Sequence, residues 1–214
     1  MSRNKIQLAL LASTSLLLAL IIVYVANHMR APSSDQHTEG LRAAGIIALP
    51  KPRDIPPLNF QTSNDKSVVT TELKDKWYLI YFGYTYCPDI CPTSLAEMRQ
   101  IHRLLSPQAQ QQVEFIMVSV DPDRDTAKQL RAYLDFFHPD FKGFTGEMAD
   151  VQKFSNALGI PFIPGDISQP GYTVDHSGNL AIISPAGQHF GFVQAPFKIE
   201  QVAKQLNLFV QQAK

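Results

Sequence analysis

The sequence has no net charge, very few cysteines and no internal repeats. Its 19 basic and 19 acidic residues cancel to a formal net charge of zero. Because nucleic-acid-binding domains carry a basic surface, this balance gives no indication of a nucleic-acid partner. No internal repeat or low-complexity tract is visible, so the chain beyond its N-terminus has the size of one ordinary domain. Cysteine occurs only at Cys87 and Cys91, which places all thiol chemistry in one short segment.

One long apolar run is present, from Ile6 to Ala26, and it contains no charged residue. About 20 such residues suffice to cross a bilayer as a helix. Arg3 and Lys5 precede the run, and the positive-inside tendency then keeps residues 1–5 cytoplasmic and sends the following chain outward. The sequence thus predicts a single-pass anchor over residues 6–26 in the inner (plasma) membrane, with the soluble domain on the periplasmic side.

A cleaved signal peptide is the competing interpretation of this run. The apolar region of a signal peptide is usually shorter, about 7–15 residues, and ends in small residues. Cleavage after Ala26 would put the bulky Tyr24 at the −3 position, and no cysteine follows that could form a lipoprotein site. Both interpretations export the domain to an oxidising compartment.

The remaining chain divides into a tether and a folded domain. Residues 27–54 are rich in polar residues and proline, which predicts an extended tether. Residues 55–214 alternate strand and helix patterns, which predicts an α/β fold with a mixed sheet flanked by helices. Strands are expected at Tyr78–Tyr84, Val113–Val120, Tyr172–Asp175, Leu180–Ser184 and Gln188–Val193, and helices at Thr93–Leu105, Thr126–Phe137, Glu147–Leu158 and Phe197–Val210.

Two hairpins complete this expected fold. One lies near the start of the domain, between Leu58 and Thr70, and the other joins the last two strands. A cysteine motif that follows a buried strand and opens a helix in such a pattern is typical of the thioredoxin-like arrangement.

Cys87 and Cys91 lie four positions apart, directly after an apolar strand. Residues i and i+4 share one face of a helix, so a helix that starts here places both sulfurs at its positive end, which favours thiolates. Such a pair can close a disulfide, exchange with another disulfide or bind a soft metal such as Cu(I). A purely structural disulfide would close a very small loop and stabilise little. A redox or metal-binding role is therefore favoured.

His176 is the second candidate, because it ends an expected strand beside a tight turn whose loop can approach the cysteines. Alone, this histidine fits a surface or capping residue. Together with two thiolates, it would complete a three-coordinate copper site, in which Asp175 is placed to orient the ring. The other histidines are expected not to be ligands, with His102 on the surface.

The end of another central strand carries Asp121, Arg124 and Asp125. Asp125 is expected to be the N-cap of the next helix. Asp121 and Arg124 are expected at the same edge of the sheet as the cysteines, where they would shape a docking surface or hold the loop. Asp89, between the cysteines, is expected to be exposed.

These segments together resemble the Sco/SenC family of membrane-anchored copper-binding proteins that help assemble cytochrome c oxidase. The resemblance covers residues 55–214 and is carried by Phe82–Pro92, Ser119–Thr126 and Val174–Ser177, in that order. It implies a thioredoxin-like fold that holds one copper ion per chain, Cu(I) or Cu(II). The ligands it implies are Cys87, Cys91 and His176.

The resemblance also implies a function and its partners. It indicates a copper chaperone that delivers copper to the CuA site of cytochrome c oxidase subunit II, with other copper chaperones or thiol reductants as further partners. Two alternatives stay open: a thiol–disulfide reductase that keeps the CuA cysteines reduced, and a copper or redox sensor. His176 separates delivery from reduction, because reductase turnover needs only the two cysteines. The loop from Gly159 to Gly171 is short beside many family members, which bears on the partner surface.

Overall fold

The computed structural model describes residues 14–25, 34–169 and 171–212. The chain separates into two units, one up to Glu39 and one from Gly40 to Lys214. In the first unit, residues 14–25 form helix α1. The rest of the predicted anchor, residues 6–13 and 26, lies outside the described residues. Within the described ranges, no helix has both the length and the apolar character that a membrane span requires.

The second unit is built on an eight-stranded sheet in the order β1-β8-β7-β4-β5-β6-β2-β3. The strands are β1 Ile46–Asp54, β2 Asn59–Thr62, β3 Ser67–Val69, β4 Trp77–Gly83, β5 Val113–Ser119, β6 Lys142–Thr145, β7 Leu180–Ile183 and β8 Gln188–Val193. The helices from Ser34 onward are α2 Ser34–Ala43, α3 Ile90–Leu104, α4 Pro107–Gln112, α5 Ala127–Asp135, α6 Met148–Ala157 and α7 Ile199–Gln212. Strands β4, β5 and β6 run parallel and the other pairs antiparallel, so the predicted mixed sheet is confirmed.

Strand β4 lies at the centre of the sheet, between β5 and β7. All of its residues after Trp77 are buried, as expected of a strand covered on both faces. It pairs in parallel with β5 up to Gly83, which lies opposite Ser119. The two strands therefore end at the same edge, and this edge carries the loop with the cysteines.

Helices cover both faces of β4. Phe82 contacts Phe154 of α6, with ring centroids 5.7 Å apart, whereas Trp77 stacks on Phe209 of α7 at 4.7 Å. Successive side chains of a strand point to opposite faces, so α6 and α7 lie on different sides of the sheet. Helix α3 packs against α7 and shares its side.

The prediction of an extended tether is wrong for the second half of residues 27–54. Ile46–Asp54 forms β1, which pairs antiparallel with β8. Neighbouring apolar side chains are buried, namely Leu41, Ala44 and Ile46. Pro50 and Pro52, which suggested a tether, lie on this edge strand in the stretch where its register shifts. A proline there removes no ladder hydrogen bond from the interior of the sheet.

The two expected hairpins are confirmed as β2–β3 and β7–β8. The strand expected at Tyr172–Asp175 does not form. Of these four residues, Asp175 alone makes a bridge, with Ile163. The elements that sequence reasoning missed are α2, α4, β1, β6 and a short 3₁₀ helix at Thr70–Glu72.

Candidate metal centre

Both cysteines lie where β4 ends. The strand stops at Gly83, Cys87 lies in the following loop, and Cys91 is the second residue of α3. Cys91 is fully buried and Cys87 is 9% exposed. The sulfurs therefore occupy the edge of the sheet at which α/β folds place their sites, close to the positive end of a helix.

Gly83 makes room for the deeper sulfur. A Cβ at this position would lie 2.8 Å from Cys91 Sγ and 2.6 Å from Tyr81 Cε1. Any side chain here would displace one of these groups. The glycine is a steric requirement of the site, whereas sequence reasoning noted it only as part of a motif.

Tyr81 holds the side chain of Cys91 in position. Its O–H donates to Cys91 Sγ at 3.3 Å, and burial raises the pKa of the Tyr81 phenol, which keeps the donor proton in place. Burial also raises the pKa of the Cys91 thiol, and the hydrogen bond with Cys87 acts in the same direction. Sequence reasoning missed Tyr81, although it lies two residues before Gly83 and so on the same face of β4.

Cys87 behaves in the opposite way. The hydrogen bond from the Cys91 side chain lowers the pKa of Cys87 to about 5, against the raising effect of burial. Hydrogen bonds from the backbone of Asp89 and Cys91 lower the same pKa further. The first negative charge of the pair therefore resides on Cys87, while Cys91 keeps its proton.

His176 reaches the same place from a distant part of the chain. Its Nε2 lies 3.2 Å from Cys91 Sγ, and its Nδ1 lies 2.8 Å from the carbonyl oxygen of Val174. Because a carbonyl only accepts, Nδ1 donates to it, and in the neutral ring this places the lone pair of Nε2 on the side of the sulfur. The prediction that Asp175 orients the ring is wrong, since this carboxylate is exposed and the Val174 carbonyl takes that role.

The sulfurs of Cys87 and Cys91 and one ring nitrogen of His176 lie within 4.8 Å of one another. The structure thus brings together the three residues predicted to bind copper, and their role as ligands stays a prediction. Two thiolates and an imidazole form a soft donor set without a carboxylate, which suits Cu(I). A bound metal would replace the proton on Cys91, because a ligating thiol is deprotonated.

Tyr84 supports the loop that carries His176. Its hydroxyl accepts the backbone N–H of Val174 at 3.2 Å. Its ring meets the imidazole of His176 edge-on, with centroids 5.3 Å apart. Tyr84 therefore locates both the backbone before the histidine and the histidine ring.

Asp121 and Arg124 hold the same loop from the end of β5. Buried Asp121 accepts hydrogen bonds from Arg124 Nε and, at 2.5 Å, from the Tyr172 hydroxyl. Arg124 also donates to the Tyr172 carbonyl oxygen at 3.0 Å, and its guanidinium lies 3.6 Å from the centre of the Tyr172 ring. Of the two expected roles, holding the loop is the one that these contacts support.

The prediction that Asp125 caps α5 is wrong. Thr126 is the N-cap, because its side chain accepts the N–H of Gln129. Asp125 is fully buried and accepts from the N–H and O–H of Thr85 at 3.0 and 2.6 Å, and from the O–H of Ser119 at 2.7 Å. It therefore ties the loop before Cys87 to the end of β5.

The expectation that His102 is a surface residue is also wrong. This histidine is 6% exposed and packs edge-on against Phe115 and Phe141. His189 is fully buried beside the carbonyl oxygen of Gly191. Neither residue belongs to the cysteine cluster.

Comparison with known proteins places these features in a family. A sequence profile described as SCO1/SenC matches residues 50–211, which include Cys87, Cys91 and His176. A protein of Stutzerimonas stutzeri whose name refers to copper binding is 38% identical over 188 residues, covering 88% of this chain and 92% of that protein.

Solved structures agree with the profile. Copper-bound ScoI of Bradyrhizobium japonicum is 31% identical, with a TM-score of 0.66 over 73% of this chain and 99% of that one. Copper-bound yeast Sco1 is 26% identical, with a TM-score of 0.68 over 75% of this chain and 90% of that one. The chain has the thioredoxin-like fold of these proteins and belongs to the SCO1/SenC family.

Proposed function

We propose that this chain is a membrane-anchored copper chaperone that delivers copper to the CuA site of cytochrome c oxidase subunit II. The observation that carries the proposal is the convergence of two sulfurs and one imidazole nitrogen within 4.8 Å. Copper binding and cytochrome c oxidase assembly are associated with the SCO1/SenC family. The two solved relatives compared above hold copper.

The unequal depth of the three donors supports delivery. Cys91 is fully buried, whereas Cys87 and His176 border the surface. A three-coordinate ion leaves a position for a ligand of the acceptor protein. An incoming cysteine or histidine would first replace the outer donors, and Cys91 would release the ion last.

The apolar run over residues 6–26 supports an anchor in the inner membrane. Arg3 and Lys5 before the run favour a cytoplasmic N-terminus, so the copper domain would face the periplasm. Residues 27–33, which precede α2, would then connect the anchor to the folded part.

Copper stoichiometry tests the proposal. The reduced chain, titrated anaerobically with Cu(I) against a chromophoric chelator, should bind one copper with sulfur and nitrogen in its X-ray absorption spectrum. Cys87→Ala, Cys91→Ala and His176→Ala should each weaken binding at least tenfold. Asp175→Asn, an exposed neighbour of the histidine, is the matched control and should bind as the unchanged chain does. Oxygen-only coordination, or affinity insensitive to the three substitutions, would overturn the proposal.

Thiol–disulfide reduction is the second candidate, and the low pKa of Cys87 favours it. The Cys87 thiolate would attack one sulfur of a partner disulfide and release the other as a thiolate. Cys91 would then lose its proton, displace the partner and leave a Cys87–Cys91 disulfide, so that two electrons pass to the partner. His176→Ala should keep this turnover while losing copper affinity, which separates the two functions.

A further inference from the structure

A second group of metal-binding side chains lies far from the cysteines, in a region that the proposed function does not use. His102, His138 and Asp140 each offer one ligand atom, and these atoms lie within 4.8 Å of one another. His102 follows Cys91 by eleven residues on α3, a rise of about 16 Å along the helix axis. The two clusters are therefore separate sites.

His102 is a buried imidazole without a hydrogen-bonding partner. It is 6% exposed, and its ring is held edge-on by Phe115 and Phe141. Within the described part of the chain, neither ring nitrogen makes a hydrogen bond. His102 lines the cleft beside the cluster, so an ion from solvent can reach its unpaired ring nitrogens.

His138 and Asp140 are presented to His102 by a tight turn between α5 and β6. The N–H of Phe141 donates to the His138 carbonyl oxygen at 3.1 Å, with Pro139 inside the turn. The N–H of Asp140 donates to His138 Nδ1 at 3.2 Å, and an ion bound by His138 would replace this hydrogen bond. The ring centres of His138 and His102 are 4.2 Å apart, and Asp140 Oδ2 lies 3.8 Å from His138 Nδ1.

The cluster is open to ions from solvent. The side chain of Asp140 is 76% exposed and that of His138 is 21% exposed. A cleft of about 450 Å³ adjoins the cluster. The basic side chains that line this cleft form ion pairs with other carboxylates. Lys76 and Lys142 both pair with Glu114, and Arg131 pairs with Asp135. The carboxylate of Asp140 therefore stays available to a cation.

We propose that His102, His138 and Asp140 form a second metal site that binds a divalent transition ion such as Zn²⁺. Two imidazoles and one carboxylate suit a borderline ion with a fourth position for water, whereas soft Cu(I) prefers the thiolates. The bound ion would join the end of α3 to the turn before β6. This inference does not rest on the proposed copper function, because the two sites share no ligand.

The test uses the full chain with Cys87→Ser, Cys91→Ser and His176→Ala, so that the first cluster no longer competes. Zn²⁺ titrated by calorimetry should bind with a stoichiometry of one and raise the Tm. Co²⁺ as a spectroscopic probe should give visible bands without the charge-transfer absorption of sulfur ligands.

Adding His138→Ala should remove Zn²⁺ binding, and Asp140→Asn should weaken it at least tenfold. These partly exposed side chains are chosen because replacing buried His102 risks unfolding. Glu200→Gln, an exposed carboxylate on α7, is the control and should leave binding unchanged. Absence of Zn²⁺ binding in the triple variant, or binding that survives His138→Ala, would overturn the proposal. Cu(I) binding by the unchanged chain is measured separately and is expected to proceed in either case.

Discussion

The two sulfurs of this chain differ more than their spacing suggests. Both lie near the start of α3, yet Cys91 is enclosed beneath Tyr81 while Cys87 retains some exposure. Because the protonated thiol donates to its neighbour, one proton stabilises the charge of the other sulfur. The result is one reactive thiolate, on Cys87, beside a thiol that keeps its proton, on Cys91. This arrangement is suited both to binding a soft ion and to attacking a disulfide.

The first prediction concerns the pH dependence of alkylation in the reduced, metal-free chain. An unperturbed cysteine gains reactivity as pH rises through about 8.5. Since the pKa of Cys87 is lowered to about 5, its modification by iodoacetamide should rise with pH through about 5 and be flat near neutrality. Mass spectrometry of timed samples should place the label on Cys87.

Cys91→Ala is the control, because it removes the hydrogen bond that lowers the pKa of Cys87 most. In this variant the midpoint should move upward by more than one pH unit. A midpoint near 8.5 in the unchanged chain, or earlier labelling of Cys91, would contradict the assignment of the reactive thiolate.

At the scale of elements, the site depends on a loop without regular structure. His176 belongs to no strand, and its position is set by contacts to the ends of β4 and β5. The cysteine pair was predictable from local pattern, since a buried strand and a helix start are visible in the sequence. The approach of His176 to the cysteines was expected from its place at a strand end beside a tight turn, and the family resemblance added its role as a ligand. The contacts of Asp121, Arg124 and Tyr172 depend on tertiary packing and leave no periodic signal.

The second prediction is that Arg124→Ala loosens the His176 loop and weakens copper binding. The substitution removes the hydrogen bonds to Asp121 and to the Tyr172 carbonyl, together with the stacking on the Tyr172 ring. Groups that orient metal ligands typically contribute 10–100-fold to affinity, so a loss of about this size is expected. Competition with a Cu(I) chelator measures it.

Arg103→Ala tests whether the effect is specific, because Arg103 is an exposed arginine in the last turn of α3. It should leave copper affinity unchanged. Equal affinities in Arg124→Ala and the unchanged chain would show that the loop holds His176 without this network.

At the scale of the whole molecule, most of the sheet could be predicted from the sequence, whereas strands β1 and β6 could not. The central strands β4 and β5 are mostly apolar, and their burial on both faces gives a pattern that the sequence shows clearly. Strand β1 contains Pro50 and Pro52 and is mostly exposed, so its sequence resembles a linker. Strand β6 has four residues, including Gly143, and is too short to show a period. The pairing of both strands is decided by the neighbouring strands of the sheet, which the local sequence pattern does not reveal.

The last prediction is that β1 is part of the stable fold. A chain that begins at Gly40 keeps Leu41, Ala44 and Ile46, which are buried, and the pairing of β1 with β8. A chain that begins at Ile55 loses them. Burial of one leucine and one isoleucine stabilises the fold by roughly 3–6 kcal/mol, which is a large part of the free energy of unfolding of a domain.

The shorter chain should therefore unfold at a clearly lower denaturant concentration when unfolding is monitored by circular dichroism. It should also self-associate, because the edge of β8 becomes exposed. Coincident unfolding curves for the two chains would show that β1 does not stabilise the fold and behaves as the tether that its proline content predicted.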